Sequence, residues 1–277
     1  MLKQETPNTE ALRVPELFAS VQARCAYPQD NLGGMSEQPP VYALLSAARL
    51  QPYLVAAGHD NARALDLYLW ANEVAGAMHA QLAYVELAVR NALDPVLADW
   101  NSAQPGGYGR DWTAQDGAAA PLYDVLKLPL NRARNWANDE VSRRQATHPR
   151  QGVTPTHDDV LVQLTFGAWT SLIRGQVGGV PPQQQLWEEA THQAFPQLSN
   201  TEASRYHVGT TLYGLQLLRN RIAHHDNLLE VNLTKRLNWS LSLLAKINPE
   251  FPSLATARSP LRRLIREDPR RRWRDKD

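Results

Sequence analysis

From residue 60 onward, apolar side chains recur at a spacing near 3.6. Ala62, Leu65, Leu67, Tyr68, Trp70, Ala71, Val74, Ala77, Met78, Leu82, Val85 and Ala88 form one broad stripe. This pattern predicts a long helix that starts at an Asp60 N-cap and runs to about Leu93, where Asp94-Pro95 bends or ends it. Shorter stretches of the same period predict helices over 8–25, 41–58 (despite Pro52), 121–144, 184–195, 201–225 and 231–247. A strongly apolar run covers 158–173. Gly- and Pro-bearing or polar stretches at 27–40, 101–117, 145–156, 177–182 and 248–257 read as loops or breaks. No segment sustains a period of two, so the expected class is all-α: a bundle around the long helix, with extra N- and C-terminal helices. The expected organisation is an arm and loop over 1–40, a helical domain over 41–247, and a loop with an arginine-rich tail over 248–277.

Composition narrows the class of function. The chain has 277 residues, 43% of them hydrophobic, enough for a substantial core. No apolar run is long enough to span a bilayer, and the first ten residues are polar and lack a signal-peptide core. Cys25 is the only cysteine, which excludes an internal disulfide and a metal site built from several thiolates. The simplest expectation is a cytoplasmic protein with no membrane contact. There is no His-Glu-x-x-His pattern, and Gly33-Gly34, Gly106-Gly107 and Gly178-Gly179 match neither the P-loop nor the dinucleotide fingerprint. No metal and no cofactor is expected.

The net charge of +1 is uninformative, but the arginines crowd one end: Arg258, Arg262, Arg263, Arg266, Arg270, Arg271, Arg272 and Arg274. Guanidinium forks grip phosphate oxygens and stack on bases. This segment is therefore either a solvated tail or an RNA contact, with Arg262, Arg263, Arg266, Arg270 and Arg271 as the RNA-binding candidates. Tyr108, Arg110 and Trp112 sit in the 101–117 loop, where they either stack on RNA or belong to ordinary loop surface.

The sharpest chemistry lies in Arg219-Asn220-Arg221-Ile222-Ala223-His224. On a helical wheel Leu215, Leu218, Ile222 and Leu229 share a narrow sector that should face the core. Arg219, Asn220, Ala223 and His224 share another, with the small Ala223 between the two functional groups, while Arg221 and His225 point away. An imidazole, with an ordinary pKa near ~6.5, can take or give a proton at neutral pH. A guanidinium stays charged and can hold a phosphate through two contacts. Together, Arg219 and His224 suit cleavage of an RNA phosphodiester by its own 2′-hydroxyl, without a metal, and Asn220 is placed to orient the ring or the substrate. The competing reading is a charged helix end whose Arg and His favour the C-terminal dipole. His225 either caps the helix or reaches across a dimer interface.

Glu86 and Arg90 form an i,i+4 pair on the long helix, on a face rich in Leu82, Val85 and Val89. They are either a local ion pair or, with Asn91, part of the wall that holds Arg219 or His224 in place.

Three segments resemble one known family. These are Tyr84-Val85-Glu86-Leu87-Ala88-Val89-Arg90-Asn91-Ala92, Leu164-Thr165-Phe166-Gly167-Ala168-Trp169, and the stretch from Leu218 to Asp226. In this order they resemble the Glu-x-x-x-Arg-Asn, Thr-Phe-Gly-x-Trp and Arg-Asn-Arg-x-Ala-His-His segments of Abi-like (abortive infection) proteins, bacterial defence proteins of the HEPN ribonuclease superfamily. The resemblance spans roughly 41–247. It implies a HEPN-like helical bundle and a metal-independent endoribonuclease of antiphage defence. It also implies a homodimer in which two copies of the motif form one composite site. Arg219 and His224 carry over as catalytic, with Asn220, Glu86, Arg90, Asn91 and His225 as supporting residues. HEPN toxins modified by a nucleotidyltransferase antitoxin carry a tyrosine two residues after the histidine. Here Asp226 stands there, which argues against that control while leaving room for another neutralising antitoxin. The alternative function is a non-catalytic RNA-binding protein that holds a structured small RNA, and such an RNA can equally be a regulator of the nuclease.

Overall fold

The computed structural model describes residues 44–175 and 182–274; the helix expected over 8–25 and the loop over 27–40 lie outside them. Among the described residues every regular element is a helix, so the class is all-α as expected. In order these are α1 (Ala47–Ala56), α2 (Asn61–Ser102), α3 (Leu122–Ser142), α4 (His157–Leu161), α5 (Phe166–Ile173) and α6 (Pro182–Glu189). After a 3-10 turn (Thr191–Ala194) come α7 (Glu202–Ala223), α8 (Leu233–Ile247), α9 (Phe251–Thr256), α10 (Leu261–Arg266) and α11 (Pro269–Arg274). None of these helices is long and apolar enough to cross a membrane. Of the described residues, 44–73 and 266–274 belong to one compact unit and 74–265 to a second.

In the first unit Leu50, Tyr53, Ala64, Leu67 and Trp70 are buried, and Tyr53 meets Tyr68 edge-on at 5.3 Å. Asp60 accepts the Arg63 N–H at 3.0 Å and caps α2 as expected. The arginine-rich end is not a plain tail here. Arg270 pairs with Asp268 at 2.7 Å and lies over the Trp70 ring, and Arg63 lies over the Trp273 ring. Arg270 thus performs a packing role, while Arg262, Arg263, Arg266 and Arg271 remain exposed.

In the second unit α2 does not stop at Asp94-Pro95 but continues to Ser102. The lost backbone hydrogen bond is outweighed by burial on both sides of the proline, at Leu93, Leu97, Ala98 and Trp100. Asp94 is held as well: it accepts the Trp112 indole N–H at 3.0 Å and contacts His157 Nε2 at 2.8 Å. The Gly- and Pro-bearing loop after α2 is organised by the fully buried Asn101. Its amide donates to the Gly109 and Gly117 carbonyls, each at 2.8 Å, and accepts the Ala119 N–H. Trp112 is therefore a core residue, not a base-stacking one, because its ring is fully buried against Trp169.

The apolar run over 158–173 divides into two helices. Thr156 and Asp159 form a capping box that starts α4, and Thr165 begins α5 afresh. The segment expected as one helix over 184–195 likewise divides, into α6 and the 3-10 turn. The segment 248–257, expected as loop, contains α9. Asn248 accepts the Glu250 N–H at 2.9 Å, and Pro252 sits in the first turn, where a missing N–H is harmless.

Two close approaches place α7. A methyl on Gly209 would lie 3.1 Å from the Arg174 Cα, and one on Gly214 would collide with the Trp239 ring of α8. Gly167 meets Gln216, so α5 runs antiparallel to α7 at backbone contact distance. Leu215, Leu218 and Ile222 turn inward, as the wheel predicts, and so does Leu212; Leu229 is buried too, but beyond the helix end at Ala223.

Candidate active site

The six-residue run of interest closes α7. Ala223 is the last helical residue, and the His224 N–H still bonds to the Asn220 carbonyl at 3.0 Å. His225 then takes a left-handed conformation, φ 53°. Its N–H bonds to the Ile222 carbonyl and the Asp226 N–H to the Arg221 carbonyl, each at 2.9 Å. This is the Schellman arrangement, with histidine where glycine is usual. The side chains lock it, because Arg221 Nε donates to Asp226 Oδ2 at 2.7 Å and Asp226 Oδ1 accepts the Asn227 N–H at 2.8 Å. The chain therefore stops being helical directly after His224, whose imidazole is left exposed at the rim.

Arg219 lies half-buried five residues earlier. On ideal helical geometry it is about 7.5 Å along the axis and about 140° round from His224, with exposed Ala223 between them. Arg219 faces α2. Burial pushes the Glu86 carboxyl above its ordinary range, and it is opposed in turn by Arg219, Arg90, His79 and a backbone hydrogen bond from Phe166. Phe166 is the first residue of α5, whose N-cap Thr165 makes no side-chain cap bond. The carboxylate thus supplies the negative charge that this helix start favours. Glu86 and Arg90 do not form the local ion pair that their spacing suggests: Arg90 Nε instead donates to Asn91 Oδ1 at 3.1 Å.

No family model matches the chain, and no curated protein or solved structure matches it significantly. The site accordingly stands on its own geometry.

That geometry sorts the sequence candidates. Glu86, Arg90 and Arg219 come together across α2 and α7, with the start of α5 beside them. Asn220 is half-buried next to Arg219, but it touches His224 through its backbone carbonyl; its side chain makes no hydrogen bond among the described residues. Asn91, about 140° round α2 from Glu86, looks the other way. It lines an apolar cavity of about 400 Å³ with Tyr84, Leu87, Leu244 and Phe251. His225 serves the helix end. Arg262, Arg263, Arg266, Arg270 and Arg271 lie on α10 and α11. Among the described residues no group of three His, Cys, Asp or Glu side chains is placed to hold a metal ion.

Two histidines escape a reading based on motifs. His79 acts on Glu86 from two turns earlier on α2, an i,i+7 spacing visible in the sequence. His157 is clamped between Asp94 at 2.8 Å and Asp111 at 2.9 Å, which pushes its pKa up to about 9. It also meets Trp112 edge-on at 5.7 Å. This group ties α4 to α2 and the intervening loop, and it is a structural staple rather than part of the Arg219–His224 grouping.

Proposed function

We propose that this protein is a metal-independent endoribonuclease of the Abi-like HEPN kind, acting in bacterial antiphage defence as a homodimer. The observation that carries this reading is an exposed imidazole and a half-buried guanidinium on one helix end, with an alanine between them. His224 removes the proton from a ribose 2′-hydroxyl. The oxygen attacks the adjacent phosphorus, and the bond to the 5′-oxygen breaks. Arg219 holds the two non-bridging oxygens and offsets the charge that builds in the five-coordinate transition state. The departing 5′-oxygen takes a proton from an imidazolium, which the second copy of His224 supplies in a composite site. Glu86 is a positioning residue: its carboxyl acts electrostatically on the Arg219 guanidinium. The products are a 2′,3′-cyclic phosphate end and a 5′-hydroxyl end.

The test is cleavage of a labelled RNA by purified protein in EDTA, with the ends analysed. Activity in EDTA and cyclic phosphate ends support the reading. Inertness, or dependence on a divalent ion, overturns it.

One observation favours a second reading. The His224 side chain makes no orienting hydrogen bond among the described residues, whereas a general base is usually held by a third group. A non-catalytic protein that holds a structured small RNA needs no such partner. Tight RNA retention through purification, without turnover, distinguishes it.

A further inference from the structure

The outward face of α7 carries a row that is not part of the core and that ends at the catalytic candidate His224. Tyr206, Thr210, Tyr213, Leu217, Asn220 and His224 follow one another at steps of three and four, within about 40° of one line. All six are exposed or half-exposed. The row connects the His224 rim to a cavity of about 420 Å³ lined by Ile173, Arg174, Arg205, Tyr206, Gly209 and Tyr213. Tyr213 lies about 16 Å along the axis from His224.

The cavity has a defined chemical character. The Arg174 guanidinium carbon lies over the Tyr213 ring, 3.4 Å from its centre. Gly209 makes this possible, since a side chain there would press on the Arg174 backbone. Arg205 is spoken for: it pairs with Glu202 and donates to the Ile173 carbonyl. Arg174 is exposed and has no carboxylate partner among the described residues. Tyr206, 66% exposed, lines the same cavity. A cation over one aromatic ring, with a second aromatic ring in the same cavity lining, suits a flat π-system and its phosphate.

We infer that this cavity is a nucleotide subsite for single-stranded RNA. A base stacks on Tyr206 and the outer face of Arg174, and the adjoining phosphate meets the guanidinium edge. The strand then follows the row on α7 to the bond at His224. The subsite rests on the reading of the protein as RNA-directed, but it does not need cleavage. Duplex RNA does not fit, because its bases are stacked on one another and unavailable to the ring.

The test is fluorescence anisotropy with a twelve-nucleotide single-stranded RNA and a duplex of the same length. The parent is the full chain bearing His224→Ala, so that nothing turns over. Tyr206→Ala and Arg174→Ala should each weaken single-strand binding about ten- to a hundredfold and leave duplex binding unchanged. Tyr206→Phe, which keeps the ring, should bind as the parent does. Circular dichroism melts check that each variant is folded; the exposed position of Tyr206 makes it the safer one. If the parent binds RNA and Tyr206→Ala binds it equally, the subsite is wrong while the RNA-directed reading survives. If the parent binds no RNA at low salt, both fall.

Discussion

The half-buried carboxyl of Glu86 on the long helix α2 lies within electrostatic reach of the Arg219 guanidinium near the end of α7. The same carboxyl takes a backbone hydrogen bond from Phe166 at the start of α5. One acidic group therefore links the three segments that carry the family resemblance, although they lie far apart in the chain. This arrangement gives Glu86 a role that stability and activity should report with opposite signs.

Burial raises the Glu86 pKa, so the folded state holds that proton more tightly than the unfolded chain does. The stability it contributes is full below the ordinary value of 4.5 and is lost as pH rises through the folded value. At pH 7 the ionised group is therefore a cost to folding that positions Arg219. Glu86→Gln should keep or raise the thermal midpoint at pH 7 while lowering RNA cleavage about a hundredfold. A lower midpoint with full cleavage would make Glu86 a purely structural residue.

Arg219→Lys keeps the charge and loses the planar fork. If Arg219 holds two phosphoryl oxygens, the change should reduce kcat about tenfold or more, and Arg219→Ala about a hundred- to a thousandfold. A loss confined to KM would reassign Arg219 to substrate binding alone.

His157 gives the fold its alkaline limit. Its pKa is raised to about 9 by Asp94 and Asp111, so its stabilisation is complete below the ordinary value of 6.5 and disappears as pH rises through about 9. At about 1.4 kcal/mol per pH unit, and with the ring 23% exposed, the loss is roughly 2 kcal/mol. Denaturant melts between pH 6.5 and 10 should show this decline in the parent, and His157→Gln should flatten it. An equal slope in both would remove the clamp.

His225 occupies a left-handed position that glycine adopts without strain. His225→Gly should stabilise the protein by about 1 kcal/mol, and a β-branched valine should destabilise it by more than that. Urea midpoints measure both, and a destabilised glycine variant would contradict the helix-end role.

The inward sector of α7 was legible from the sequence because three turns of Leu and Ile repeat the helical period, and the burial of Leu215, Leu218 and Ile222 follows it. Pro95 misled because a local rule met a tertiary one: buried neighbours on both sides hold the helix through it. The helices of six residues at Phe251, Leu261 and Pro269 are too short to show a period, so the segment read as loop and tail. Within the site, residue types and spacing marked Arg219 and His224. They suggested Arg90 as the partner of Glu86, whereas the folded chain turns Arg90 to Asn91. The His157 clamp had no local trace, since Asp94 and Asp111 are 63 and 46 residues away.

The most direct measurement is single-turnover cleavage of a labelled single-stranded RNA in EDTA by the parent and by His224→Ala, matched for folding by circular dichroism. The parent should leave cyclic phosphate ends, and the variant should cleave at a rate at least a hundredfold lower. Equal rates in the two proteins would contradict catalysis by His224.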